Sequence, residues 1–206
     1  MANLTSTSDE ILRCARSLII GGGYNGFSYA DIAGVVGIRK ASIHHHFPSK
    51  VDLVRAVVAR HIEEAAAGMA ALDRHHPDPV DRLRAYAGYW SECVRDPANA
   101  FCVCALLASQ IPVLPPEVVV EVRAHFRALS NWLTSVIEEG AKQGRLKLSG
   151  DARSEAEVFM AAVHGAMLSA RAYGDDAVFR AIVTPLIDRL VADPGEPLKQ
   201  AASPGA

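Results

Sequence analysis

The chain lacks any long apolar run: its most hydrophobic stretch, around Cys102 to Ala108, is far shorter than the roughly 20 residues needed to span a bilayer. The N-terminal MANLTSTSDEIL has no basic region followed by an apolar one, so no export signal is read and a cytoplasmic location is expected. Cysteine is sparse, four in 206 residues. Without an export signal these read as free thiols rather than as a disulfide framework. Net charge is small, −2, which argues against wholesale coating of a polyanion. No segment alternates apolar and polar residues at period two, which removes sheet architectures. There is no nucleophile elbow and no metal-ligand spacing, so no enzymatic activity, cofactor or metal is expected.

What the chain does have is a 50% hydrophobic content arranged in helical stripes, so the expected fold is all-α. Ile11, Leu12, Ala15, Leu18 and Ile19 share a face before Gly21-Gly22-Gly23. A second stripe over about 50–68 carries Leu53, Val54, Val57 and His61 inward. His76-Pro77-Asp78-Pro79 reads as a loop, and Val80, Leu83, Ala87, Trp90 and Val94 as the next stripe, closed by Asp96-Pro97. Residues 98–111 are free of charge and predict one central helix, ended by Pro112, Pro115 and Pro116. A long amphipathic helix follows over about 117–144, then helices over 154–173 and 177–191, the last with Pro185 predicting a kink or break. Residues 193–206 are rich in Pro, Gly and Ala and read as a disordered tail. Charge is uneven: through Ile62 seven Lys/Arg face four Asp/Glu, a net +3, which leaves 14 basic and 19 acidic residues, or −5, for the rest.

The densest signal is Phe27 to Leu53, FSYADIAGVVGIRKASIHHHFPSKVDL. Ser28 caps a helix whose first turn holds Asp31, and Gly37 ends it in the left-handed conformation that glycine adopts without a Cβ penalty. A second short helix runs from Arg39 and Lys40 through the three histidines to Phe47-Pro48. Ser49 and Asp52 then form a capping box for the next. Two short helices around a tight glycine turn fit a helix-turn-helix, whose second helix lies in the major groove of DNA. The three successive histidines point about 100° apart on that helix and cannot converge on one metal ion.

This window resembles the N-terminal domain of the tetracycline-repressor (TetR) family of bacterial transcription regulators. The resemblance rests on Ser28, Ile32-Ala33, Gly37-Ile38, Ile43-His44-His45-His46-Phe47, Lys50 and Leu53, with Ile43 in place of the usual Leu and His44 in place of the usual Tyr. It implies about nine helices, divided into a DNA-binding domain over 1–62 and an effector-binding and dimerisation domain over 63–192. It also implies a homodimer formed through the last two helices, bound to a double-stranded operator. The residues expected at DNA are Ser28, Tyr29, Arg39, Lys40, Ser42, His44, His45 and Lys50, with Arg39 and Lys40 the donors suited to guanine edges and Tyr29 and Lys50 resembling the family's phosphate clamps.

FCVCALLASQIPVLPPEVVVEVRAHF is similar to a TetR subgroup with cysteine at the start of the sixth helix. Some of its members sense electrophiles, oxidants or unsaturated acyl compounds through that thiol. This chain has no acidic residue after Ser109, where the subgroup often has Glu. On a helix Cys102 and Cys104 point roughly 200° apart, so one is expected to face a pocket and the other to pack; the alternative is that both are small buried hydrophobes. A reactive thiol needs a nearby cation or helix N-terminus, and Arg123, His125 and His164 are the candidate cations. The expected effector pocket comprises Tyr86, Tyr89, Trp90, Cys93, Phe101, Cys102, Cys104, His125, Phe126, Phe159 and His164. The expected function is a dimeric repressor released by a small apolar or electrophilic effector or by thiol oxidation. A DNA-binding dimer without an effector is the alternative.

Overall fold

A computed structural model of the chain describes residues 6–96 and 101–192. The expected tail at 193–206 and the start of the expected 98–111 helix lie outside them. Among the described residues there are nine α-helices and no named strand, in the order α1 (Thr7–Gly22), α2 (Tyr29–Val36), α3 (Lys40–His46), α4 (Lys50–His75), α5 (Pro79–Arg95), α6 (Val103–Ala108), α7 (Pro116–Lys142), α8 (Ala152–Tyr173) and α9 (Ala177–Leu190). One isolated antiparallel bridge, Leu146 to Val191, ties the α7–α8 connection to the end of α9.

Local chemistry dictates where most of the first four helices begin. Ser6, Ser28 and Ser49 each accept a helix N-terminal amide while Asp9, Asp31 and Asp52 reach back to the cap, three complete capping boxes. Gly37, at φ 75°, closes α2 in the left-handed region. The head is held together by Ile11, Ala15, Ile19, Phe27, Ile32, Ile43, Phe47 and Leu53, all buried. α4 then continues for 26 residues, about 39 Å at 1.5 Å per residue. It outruns the 50–68 stripe, and the expected division at residue 62 falls in its middle.

In the body, Asp78 caps α5 and Pro79 occupies its first turn, where a missing N–H costs nothing. Arg82, buried on α5, donates to the His76 carbonyl at 2.7 Å and to Glu139 of α7 at 2.5 Å, clasping three helices at one point. α7 packs against α8, and α8 against α9. One expectation for this region fails and another is narrowed. The charge-free segment is not one central helix: Cys102 is extended (ψ 120°) and caps a helix of only six residues, followed by a 3-10 turn over Ile111–Val113. α9 runs on through Pro185 without a break, and Pro185 and Ala181, whose carbonyl loses its donor, both lie on a face that the rest of the chain does not bury. No helix among the described residues is long and apolar enough to cross a membrane.

Candidate functional site

On the reading head, the fold divides the expected DNA-facing residues into two groups. Arg39, Lys40 and His45 stand exposed on α3 and its cap, with Ser42 half-buried beside them. The others are engaged within the head. Ser28 Oγ is committed to its capping box. Tyr29 is buried, and its hydroxyl donates to the Phe47 carbonyl at 2.8 Å, bracing α2 against the end of α3. Burial pushes that phenol up to about 12. His44 packs its ring on Tyr29 at 4.7 Å, and its Nδ1 lies 3.3 Å from the Pro48 carbonyl. Lys50 donates to the Phe27 carbonyl and lies over the Phe27 ring at 4.2 Å. Tyr29 thus braces α2 against the end of α3, and Lys50 ties the start of α4 to the segment before α2.

In the body, three elements converge on one buried cluster. Cys102 Sγ, at the cap of α6, lies 3.5 Å from Nε2 of His61 on α4 and 4.0 Å from Nε2 of His125 on α7. The two imidazole rings are 4.9 Å apart. Burial lowers His61 to about 3, with further lowering from His125, Arg16 and His164. Burial alone lowers His125 to about 4, and burial followed by His125 lowers His164 to about 4. The expected activating cations are therefore neutral rings near pH 7, and Arg123 is exposed on the far side of α7. Nor does one cysteine face a cavity while the other packs, since both are fully buried. Burial pushes Cys102 up to about 11, opposed by the N–H groups of Ala105 and Cys104. It pushes Cys104 higher still, with Cys102 adding to the rise. Neither thiol is activated in this conformation.

Around this cluster lie most of the expected pocket residues. Tyr86 packs on Trp132 at 5.7 Å and on Phe159 at 6.3 Å, and Phe126 packs on His164 at 5.3 Å. Tyr86 Oη and Trp90 Nε1 are buried polar neighbours that do not reach good hydrogen-bond geometry, and His164 Nε2 is buried without a partner. Phe101 is buried, with the Arg171 guanidinium 6.0 Å over its ring. Cys93, half-buried, sits beside Tyr89 and is raised by burial. Tyr89 itself is 55% exposed and does not line the interior. A separate groove of about 260 Å³ between α5 and α9, lined by Arg84, Gly88, Ser91, Phe179, Arg180 and Thr184 among others, contains none of the expected pocket residues.

Two residues that the sequence did not single out join body to head at the end of α1. Gln110, just after α6, accepts the Tyr24 N–H at 2.8 Å, and Arg171 of α8 donates to the Ile20 carbonyl at 3.0 Å. Gly23, at φ 74°, is required there: a Cβ would lie 2.0 Å from Gln110 Nε2. Gln110, rather than an acidic residue, follows Ser109, and its amide oxygen is the acceptor for Tyr24. Nothing in local sequence marks these contacts, because they join residues 86 and 151 positions apart.

An exposed cationic helix on a capped helix-turn-helix, carried by one long helix into an all-α body, defines a DNA-binding transcription regulator. Comparison with known proteins agrees with that class. Residues 11–57 match the family described as bacterial regulatory proteins, tetR family, and residues 79–186 match the tetracyclin repressor-like C-terminal domain. A TetR-family regulator from Agrobacterium tumefaciens is 64% identical, covering 90% of this chain and 97% of its own, with a TM-score of 0.88. A TetR regulator from Legionella pneumophila is 27% identical over 91% of this chain and 99% of its own, with a TM-score of 0.82. The HTH-type transcriptional activator FasR of Mycolicibacterium smegmatis is 24% identical over 128 residues, 62% of this chain but only 57% of that protein. The chain belongs to the TetR family.

Proposed function

We propose that the protein is a homodimeric repressor of the TetR type, released from a palindromic operator when a small, mainly apolar molecule enters the body between α5, α7 and α8. The observation that carries the effector is a set of buried polar atoms in an aromatic interior: Tyr86 Oη beside Trp90 Nε1, without a well-formed hydrogen bond, and His164 Nε2, which has no partner. A buried donor or acceptor left unmet costs about 1–3 kcal/mol, and an apolar site with a few convergent polar groups is the usual form of a ligand pocket. The ligand class that fits is an apolar skeleton bearing one or two hydrogen-bonding atoms. Action through the cysteines requires a prior opening that exposes Cys102 and lowers its pKa.

For the dimer, support comes from α8 and α9. Val158, Ala161, Gly165, Leu168 and Ala172 form an exposed stripe on α8, beside exposed Ala181, Ile182 and Pro185 on α9. A Cβ at Gly165 would meet nothing within 4 Å, leaving room for a second helix. A Leu168→Glu, Ile182→Glu pair is expected to sediment as a monomer.

The effector reading is tested by screening small carbonyl compounds, apolar acids and diamide for two effects on the wild type: a raised melting temperature and release of labelled operator. A compound that does both, and loses potency against Tyr86→Phe or His164→Leu, supports it. Release by diamide that Cys102→Ser abolishes would move the trigger to the thiol. If nothing both binds and releases, the protein is a DNA-binding dimer without an effector.

A further inference from the structure

We propose that His61, Cys102 and His125 form a buried binding site for a single soft, singly charged metal ion, Cu(I). One ligand atom from each residue lies within 4.8 Å of the other two, with Cys102 Sγ at 3.5 Å from His61 Nε2 and 4.0 Å from His125 Nε2. Metal–sulfur and metal–nitrogen bonds of about 2.0–2.3 Å place the ligands of one ion about 3.5 Å apart. One contact is already at that spacing, and side-chain rotation on two helices can close the rest. The residues come from α4, the cap of α6 and α7, separated by 41 and 23 positions in sequence. No compact motif betrays them.

The donor set selects the ion. One sulfur and two imidazole nitrogens suit Cu(I) and Zn(II) and reject Mg(II), Ca(II) and Mn(II), which take oxygen. Charge then decides between the two. All three residues are buried, His61 and His125 at 5% and Cys102 at 0% exposure, and the cluster contains no carboxylate. Zn(II) with one thiolate and two neutral rings leaves a net positive charge in a dry interior, which is costly without a counter-ion. Cu(I) with the same three ligands is neutral. Three donors also complete a trigonal Cu(I) site, whereas Zn(II) calls for a fourth ligand.

On binding, the Cys102 thiol releases its proton to solvent and forms the metal–sulfur bond, each ring contributes its Nε2 lone pair, and the oxidation state of the ion does not change. The bound ion would pin α4, which follows directly on the reading helix, to α6 and α7. This last step alone rests on reading the body as the regulatory half.

The test is an anaerobic titration of the full chain with Cu(I) against the chromophoric chelator bicinchoninate. Support is one ion per chain, with affinity reduced roughly 100-fold or more in Cys102→Ser and in His125→Gln and kept in Cys14→Ser, Cys93→Ser and Cys104→Ser. Helical circular dichroism and operator binding without metal establish that each variant is folded. X-ray absorption should show one sulfur and two nitrogen neighbours. A wild type that surrenders all Cu(I) to the chelator, or a folded Cys102→Ser that binds as the wild type does, overturns the site. Retention of Zn(II) but not Cu(I) overturns the choice of ion. Stoichiometric Cu(I) binding that leaves operator affinity unchanged upholds the site and overturns only its link to α4.

Discussion

In the reading head many polar side chains of α1 to α4 are engaged locally. Three serines and three aspartates cap helices, Tyr29 and Lys50 hold backbone carbonyls, and the α3 face around Arg39, Lys40 and His45 is turned outward. In the body the arrangement is inverted. The distinctive polar groups, His61, His125, His164, Tyr86, Trp90 and the two thiols, point inward, and Tyr86, Trp90 and His164 carry atoms without a well-formed hydrogen bond. A surface that leaves cations free suits a ligand that brings its own negative charge, as DNA does. An interior that leaves hydrogen-bonding atoms unmet suits a ligand that loses its water on entry.

The comparison is broken most forcefully at the outward face. Arg39→Ala with Lys40→Ala should weaken operator binding by about 3 kcal/mol or more, more than 100-fold, with dimerisation unchanged by sedimentation. If operator affinity is retained, α3 is not the reading helix. Next comes acid. The three buried histidines have folded values below their ordinary one, so the unfolded chain binds more protons as pH falls; their contribution is complete above about pH 6.5 and is lost progressively toward about pH 3–4. Each adds a slope of about 1.4 kcal/mol per pH unit in that window, so the urea midpoint should fall increasingly as pH drops from 7 to 4.5, and His164→Leu should remove about one proton from that dependence.

Smaller effects probe the join between the two regions. Gly23→Ala imposes a left-handed conformation on alanine and displaces Gln110 from Tyr24, and should cost about 1–3 kcal/mol, read as a drop in melting temperature. Gln110→Ala should leave folding nearly intact yet shift the effector concentration at half-release. Smallest is Tyr29→Phe, about 1 kcal/mol of stability with no change in the salt dependence of DNA binding. A change in that dependence would make Tyr29 a phosphate contact instead of a brace.

How far the sequence reveals each region follows from the range of the interactions involved. Ser28, Gly37, Ser49 and Asp52 act within five residues of their partners, so the helix-turn-helix is readable directly, and α2 and α4 start where their caps place them. The body depends on residues far apart in the chain. Cys102 meets His61 and His125, and Gln110 meets Tyr24, only because distant helices pack side by side. Helical periodicity marked His61 as inward but could not say what it meets. The expected helix over 98–111 failed for a related reason: absence of charge reports burial, and a buried segment need not be helical throughout.

The division of labour between the two regions is tested most directly by the salt dependence of operator binding in the wild type, in the Arg39→Ala, Lys40→Ala pair and in His164→Leu, measured by fluorescence anisotropy. Each phosphate contact removed lowers the slope of log affinity against log salt by about 1. The expected result is weaker binding in the head variant, with a slope shallower by up to about 1 for each of Arg39 and Lys40 that also neutralises a phosphate, and an unchanged slope in the body variant. A body variant that alters the slope as much as the head variant does would contradict the account.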